Sequence, residues 1–344
     1  MTIYIDPPSW PAYGTVFSHL VSDSSLNELH ALAAATGISK RAFDRDHYDV
    51  PAHLYGKLVA AGAVEVSGAE LTRRLVASGL RIPLKERPEK IRPRLLRAWE
   101  ALFTPRLKLL EDSAAFRSEV VIQVRELGEH LLKAWEQPQR AYHHSGHLSQ
   151  ILADLEHLHG SLDNESSGQQ GGGAPLSSVL AVWFHDAVYE GEPGEDERRS
   201  EQLASTSLEP LVTVGLLSEG ELLAVRSLVR ATVSHEVPPR VELPEGLRVE
   251  EIQFFLDADM AILAAEPGRY RRYLRGIRSE YSHFDDYAFR AGRLSFLRSM
   301  EQREHIFLTP SAYKVWESRA RVNLATELQE WEQNPQGLVH ALSS

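Results

Sequence analysis

From Arg94 to Pro335 nearly every segment of the chain has helical spacing, broken by short loops, and this run sets the tightest limit on the fold. It predicts an all-helical domain over most of the chain. Inside it, His147, the pair His185 and Asp186, and Asp259 each fall in a segment that reads as helical. Such residues supply the nitrogen and oxygen donors that hold a divalent metal against a phosphate ester.

His147 sits at the start of its helix, followed by Leu148, Ile151, Leu152 and Leu155 at the spacing of one buried face. His185 and Asp186 follow Leu180-Ala181-Val182-Trp183-Phe184, a run apolar enough for a buried helix whose polar end opens into a cavity. A buried imidazole and carboxylate there need a partner, and a metal is the usual one. Fifteen histidines in 344 residues produce a His-Asp pair by chance, so the surroundings carry the inference rather than the dipeptide.

Several motifs in order are more specific. Tyr142-His143 with His147-Leu148, the run from Trp183 through His185-Asp186 to Tyr189, Asp196-Glu197 with Ser200, Phe255 to Leu263, and Tyr270-x-x-Tyr273-Leu274-x-x-Ile277-Arg278-x-Glu280-Tyr281 together resemble the metal-dependent phosphohydrolases of the HD superfamily. The resemblance covers roughly residues 94 to 335. It implies an all-helical domain in which His147, His185, Asp186 and a late aspartate bind the metal. For the late ligand Asp257 and Asp259 compete. Asp259 is preferred because Ala258-Asp259-Met260-Ala261-Ile262-Leu263 resembles the context in which HD proteins carry their last ligand. Side chains two apart on a helix diverge by about 200°, so one of the two faces the metal and Asp257 is left to cap the helix.

A general acid or base is also expected. Many HD nucleotidases place Glu three residues after the His-Asp aspartate, whereas this chain has Tyr189 there and Glu190 next. Glu190 and Glu197 are the candidates for proton transfer, with a solvated carboxylate at a helix start as the alternative for Glu197. His235 matches a position where larger HD enzymes carry a histidine after a threonine, to orient the leaving phosphate or bind a second metal; a helix-ending surface histidine is the alternative. His143 and His144 read as supporting groups. For phosphate, the Arg- and Tyr-rich segment 269–293 offers Arg278 and Arg290, with Tyr281 to stack on a base or donate a hydrogen bond; most of that density reads as helix surface.

The N-terminal part differs. Residues 2 to 5 read as a short strand stopped by Pro7-Pro8, Ser24 begins a helix, Pro51 restarts one through Ala61, Val64-Glu65-Val66 is strand-like and Ser67 caps a helix to Ser78. This predicts a small α/β domain at residues 1–85. Through its Ile3-Tyr4-Ile5-Asp6-Pro7-Pro8, Phe17-Ser18-His19-Leu20 and Arg45 to Pro51 runs it resembles a small bacterial and phage domain of unknown function. Asp6, His19, Arg41, Asp46, His47 and Asp49 form a second site there or serve as turn residues and caps. Lys85 to Pro93, charged and with two prolines, reads as a connection, so that 86–93 is a linker, 94–335 the helical domain and 336–344 a tail. Asp163 to Pro175, with three consecutive glycines, reads as a mobile solvated loop.

The formal charge of −11 argues against a broad basic surface for nucleic acid. With no cysteine, metal binding must rest on His, Asp and Glu. No basic leader with an apolar run, and no stretch of about 18 apolar residues, is found, so the expectation is a soluble cytoplasmic protein without membrane association. The fold expected is mainly α, and the function a hydrolase that cleaves a phosphate ester of a nucleotide or other small molecule with Mn²⁺, Fe²⁺, Co²⁺, Ni²⁺ or Mg²⁺. The alternatives are a metal- or nucleotide-binding sensor without turnover, whose N-terminal module binds a partner, and an N-terminal domain with its own activity. Oligomeric state is not encoded in any pattern of the sequence.

Overall fold

The computed structural model describes residues 2–110, 113–165, 173–192 and 194–343. Two compact units emerge: Met1–Leu84, Ala265–Arg298 and Asn323–Ser344 form the first, Lys85–Ala264 and Ser299–Val322 the second. A small α/β sheet region at the N-terminus is followed by helices throughout, as the periodicity predicts.

The first unit begins with β1 (Ile3–Ile5), β2 (Trp10–Ala12), β3 (Thr15–Ser22), α1 (Leu26–Thr36), β4 (Tyr48–Pro51), α2 (Ala52–Ala60), β5 (Val64–Glu65) and α3 (Gly68–Ala77). Strand β3 pairs antiparallel with β1, β2 and β4, and β1 pairs parallel with β5. The β2–β3 hairpin turns on Tyr13 and Gly14, both at positive φ (47° and 77°), the pair of conformations that matches strand twist in a two-residue turn. Ser25 and Ser67 cap α1 and α3 by accepting the N–H of Glu28 and Glu70.

Side chains alternate across this sheet. Ile5, Leu20, Tyr48 and Val50 bury against Leu29 and Ala33 of α1 and Leu58 of α2, while Tyr4 and Val21 bury against Leu71 and Leu75 of α3. Both faces of β3 are covered, so it lacks the apolar/polar alternation by which a one-sided strand is recognised. That is why β3 was not legible; β2 and β4 were not read from the sequence either, whereas β1, β5 and the three helices fall where the sequence puts them.

The second unit holds α4 (Pro88–Leu107), α5 (Ala114–Trp135), α6 (Ser145–Glu165), α7 (Leu176–Phe184), α8 (Glu195–Thr213), α9 (Glu219–Ala231) and α10 (Val249–Met260). Most of the expected connection 86–93 is helix: Pro88 occupies the first position of α4, where its missing N–H costs nothing, and Ile91, Leu95, Trp99 and Phe103 already form a buried stripe. Trp99 donates from Nε1 to the Val124 carbonyl at 2.6 Å. Gly128 of α5 permits this close crossing, since a Cβ there would lie 2.4 Å from Trp99 Cδ1. Of the expected loop 163–175, residues 163–165 end α6, and 166–172 lie outside the described residues. Among the described residues no helix is long and apolar enough to cross a membrane.

The chain continues through α11 (Pro267–Glu280), α12 (Asp286–Gln302), α13 (Pro310–Gln333) and α14 (Pro335–Ser343), so the expected tail is mostly helix. Residues 265–298 and 323–344 join the first unit, although the sequence assigned most of them to the helical domain. Gly268 of α11 lies so close to α3 that a Cβ would meet the Val76 carbonyl oxygen at 2.1 Å. Arg275 donates to the carbonyls of Ser78 (2.8 Å), Ser24 (3.1 Å) and Ala341 (3.3 Å). A buried pair joins α12 to α13: Arg293 donates to Glu327 at 2.7 and 2.9 Å, and Tyr270 and Trp331 donate to the same carboxylate.

Candidate metal centre

In the second unit four helices converge on one carboxylate. Asp259, near the end of α10, lies with Oδ1 3.3 Å from His147 Nε2 and 3.6 Å from His185 Nε2, and with Oδ2 3.0 Å from His235 Nε2. His147 enters from the first turn of α6, His185 from the C-terminal end of α7 and His235 from the turn after α9. Asp186 Oδ2 is 3.2 Å from His185 Nε2, and His143 Nε2 lies 3.9 Å from the same oxygen.

The local sequence explains why these groups stay put. Leu180 to Phe184 are fully buried, so α7 cannot rotate, and His185 is carried inside at 1% exposure. Its Nδ1 lies 2.9 Å from the Val182 carbonyl, which can only accept, so Nδ1 carries the proton. Nε2 is left buried without a hydrogen bond of good geometry, facing Asp186 and Asp259. Trp135 donates to the Trp183 carbonyl at 2.9 Å, and its ring lies against His185. Tyr142 packs on the His147 ring and Tyr189 stacks on His143.

Donors around a tetrahedral ion with bonds of about 2.1 Å stand roughly 3.4 Å apart. The contacts of His147 and His185 with Asp259, and of His185 with Asp186, fall around that spacing, and one ligand atom each from His147, His185 and Asp259 lies within 4.8 Å of the others. The donor set therefore fits a divalent cation. The electrostatics agree. Burial holds the His147 imidazole below its ordinary pKa, which keeps it neutral. Burial also opposes charge on His185, but Asp186 and Asp259 outweigh it and lift the imidazole well above its usual value. Burial works against the carboxylates too, yet the surrounding imidazoles hold Asp186 and Asp259 below the ordinary aspartate range. A proton on His185 and a cation compete for one position.

Asp257 points elsewhere. Its carboxylate accepts the N–H groups of Leu308 (2.7 Å) and Thr309 (2.8 Å) and the Thr309 hydroxyl (2.6 Å), and so fixes the entry to α13. Burial nevertheless pushes its pKa up to about 6. The cap it provides serves the entry to α13, not α10, the helix it sits on.

The remaining candidates separate. His235 is brought to Asp259 in a left-handed conformation (φ 50°), which costs a non-glycine residue about 1–3 kcal/mol. Arg303 holds that turn, donating to the carbonyls of Ser234 (3.3 Å) and His235 (3.4 Å). Glu190 is exposed and pairs with Arg199 at 2.7 Å. Glu197 accepts the Gly194 N–H at 2.6 Å and is half-buried; burial raises its pKa, and the Asp186 charge adds to the effect. Asp196 accepts the N–H groups of Glu190, Gly191 and Glu192 at 2.8–2.9 Å, and the Ser200 hydroxyl accepts the Val188 N–H. The Asp196-Glu197-x-x-Ser200 motif thus ties down the loop that follows His185 and Asp186.

Arg278, Tyr281 and Arg290 belong to the first unit. Arg278 donates to the Tyr281 carbonyl and to Asp286 at 2.7 Å, and Arg290 donates to the Trp331 carbonyl. Sequence reasoning missed Arg140. It is buried, donates to the carbonyls of His143 (3.0 Å), Asp186 (2.6 Å) and Ala187 (2.9 Å), and lies over the Trp135 and Tyr189 rings. It joins the approach to His147 to the His185-Asp186 turn through backbone oxygens, which leave no residue-type signal.

Comparison with known proteins finds a likeness at the N-terminal end of the chain. Residues 3–78 match the family described as "Protein of unknown function (DUF4031)". This domain coincides with the small N-terminal α/β domain read from the sequence. No match was found among curated proteins or among solved structures.

Proposed function

We propose that the helical second unit is a metal-dependent phosphohydrolase of HD type, acting on the phosphate ester of a nucleotide or another small molecule. The observation that carries this reading is the convergence of His147, His185, Asp186 and Asp259, with the free Nε2 of His185 buried and facing two carboxylates. These four residues would hold the cation, and Mn²⁺, Fe²⁺, Co²⁺ or Ni²⁺ suits the mixed donor set better than Ca²⁺. When bound, such an ion polarises a phosphoryl oxygen and lowers the pKa of a water molecule.

The chain's own groups supply the rest. Val182 fixes the His185 tautomer, and Arg140 positions the Asp186 backbone. Glu197 is assigned proton transfer, since its raised pKa lets it hold a proton closer to neutral pH than an exposed glutamate does. His235 orients Asp259 and is assigned to the phosphate side of the site. A sensor without turnover is the second reading, favoured by Tyr189 where many HD enzymes carry Glu and by the engagement of Glu190 with Arg199.

Chelator-treated protein, resupplied with Mn²⁺, Co²⁺, Ni²⁺ or Mg²⁺, is assayed for phosphate release from nucleotides and phosphate esters beside Asp186→Ala. Metal-dependent release that the substitution abolishes supports the hydrolase. Metal binding without release from any compound supports the sensor.

A further inference from the structure

The N-terminal domain contains a second convergence of histidines and carboxylates, built differently from the first. His19 lies on β3 and Asp49 directly opposite on β4, a cross-strand pair. Alternation puts both on the sheet face of Val21, away from the Leu20, Tyr48 and Val50 core. Asp6 follows β1 and donates its N–H to the His19 carbonyl, which places its side chain on the same face. His47 precedes β4, at the end of a tight turn in which Asp44 N–H donates to the His47 carbonyl at 2.8 Å and Arg45 adopts φ 67°.

Each imidazole is held by its own buried carboxylate. His19 Nδ1 lies 3.0 Å from Asp6 Oδ2, and His47 Nδ1 lies 2.6 Å from Asp46 Oδ1. Asp6 is 2% exposed and Asp46 0%. A carboxylate accepts, so in both rings Nδ1 carries the proton and Nε2 presents its lone pair. Both Nε2 atoms face Asp49 Oδ1, at 3.9 Å from His19 and 3.6 Å from His47, and one ligand atom from each of the three residues lies within 4.8 Å of the others. Two carboxylate-oriented histidines converging on a third carboxylate is the arrangement by which proteins orient imidazoles on a metal. Asp46 is itself held by Arg81 at 3.3 Å and by the Ile82 N–H at 2.7 Å, so its histidine has little freedom to turn away.

We infer that His19, His47 and Asp49 form a binding site for a first-row divalent transition ion in the N-terminal domain, with Asp6 and Asp46 as positioning residues. Two histidines and one carboxylate leave positions open for water or substrate. Asp49 is half-exposed, so the site faces solvent on its carboxylate side. The site shares no residue with the His185 cluster and stands whether or not the helical unit hydrolyses phosphate esters.

Chelator-treated full-length protein is loaded with Co²⁺, and the bound ion is counted after gel filtration. Asp49→Ala is expected to lower the count by a single ion per chain relative to the wild type, and His47→Ala to do the same. In protein carrying His147→Ala and His185→Ala, the visible absorption of bound Co²⁺ is expected to remain and to vanish on adding Asp49→Ala. Asp6→Asn is expected to weaken Co²⁺ binding about 10- to 100-fold. A local probe is built in, since the Trp10 ring lies 5.2 Å from the His19 ring. Co²⁺ in this site should quench Trp10 fluorescence, and the quenched fraction should shrink in Trp10→Phe. An unchanged ion count in Asp49→Ala overturns the inference without relying on the more disruptive variants, as does quenching that is the same with and without Trp10.

Discussion

His185 Nδ1 donates to the Val182 carbonyl at 2.9 Å, and this contact within one helical turn decides which imidazole nitrogen faces Asp186 and Asp259. Because Val182 is fully buried, the carbonyl has no freedom to release the ring. His185→Ala is expected to weaken Mn²⁺ binding by more than the roughly 10- to 100-fold typical of losing a group that merely supports a ligand. Isothermal titration of chelator-treated protein measures it, and an unchanged affinity would remove His185 from the site.

The two aspartates of α10 should separate cleanly. Asp257→Asn puts an amide where three donors converge, so at least one loses its acceptor, at a cost of about 1–3 kcal/mol in stability. Metal affinity should be retained. Asp259→Asn should give the reverse in binding, losing the ion of the helical unit while the N-terminal site keeps its own. Paired urea unfolding and metal titration distinguish them, and metal loss in Asp257→Asn alone would reverse the assignment.

Arg140 holds three carbonyl oxygens with a planar fork that lysine cannot reproduce. Arg140→Lys is expected to lower metal affinity about 10- to 100-fold with an unchanged far-ultraviolet dichroism spectrum. Equal affinity in the two proteins would mean that the His143 and Asp186 segments hold their places without it.

The helical half was legible where its buried faces repeat at regular spacing, as in Leu95, Trp99 and Phe103, whereas Pro88 and Pro93 made the first turns of α4, with Ile91, read as a connection. The strand β3 was not legible, since Leu20 and Val21 are adjacent yet buried on opposite faces. Candidate donors such as His147 and Asp259 could be named from motif context, but side-chain direction could not. Glu190 turned to Arg199, Asp257 to the entry of α13, and Arg278 to Asp286, each choosing a partner outside its own element. In the N-terminal domain the polar residues were noticed, but only the pairing of β3 with β4 brings His19 opposite Asp49.

Burial disfavours the Glu327 carboxylate, but Arg293, with Tyr270 and Trp331 donating as well, outweighs it and holds the pKa below the ordinary value. A depressed folded-state pKa gives stability that is fully present above the ordinary glutamate value of about 4.3 and is lost as pH falls through the folded value. Glu327→Gln leaves Arg293 buried without its counter-charge and should cost about 3–5 kcal/mol at pH 7. Urea unfolding at a series of pH values should also show a shallower loss below about pH 4.3 in the variant. Parallel curves for the two proteins would contradict the linkage.

The most direct test of the proposed metal centre is the anomalous scattering of Mn²⁺ in crystals of the chelator-treated, Mn²⁺-reloaded protein. The expected result is a peak bounded by His147 Nε2, His185 Nε2 and the carboxylates of Asp186 and Asp259. Fully loaded crystals with no peak among those four side chains, and with His185 still facing Asp186 and Asp259, would contradict it.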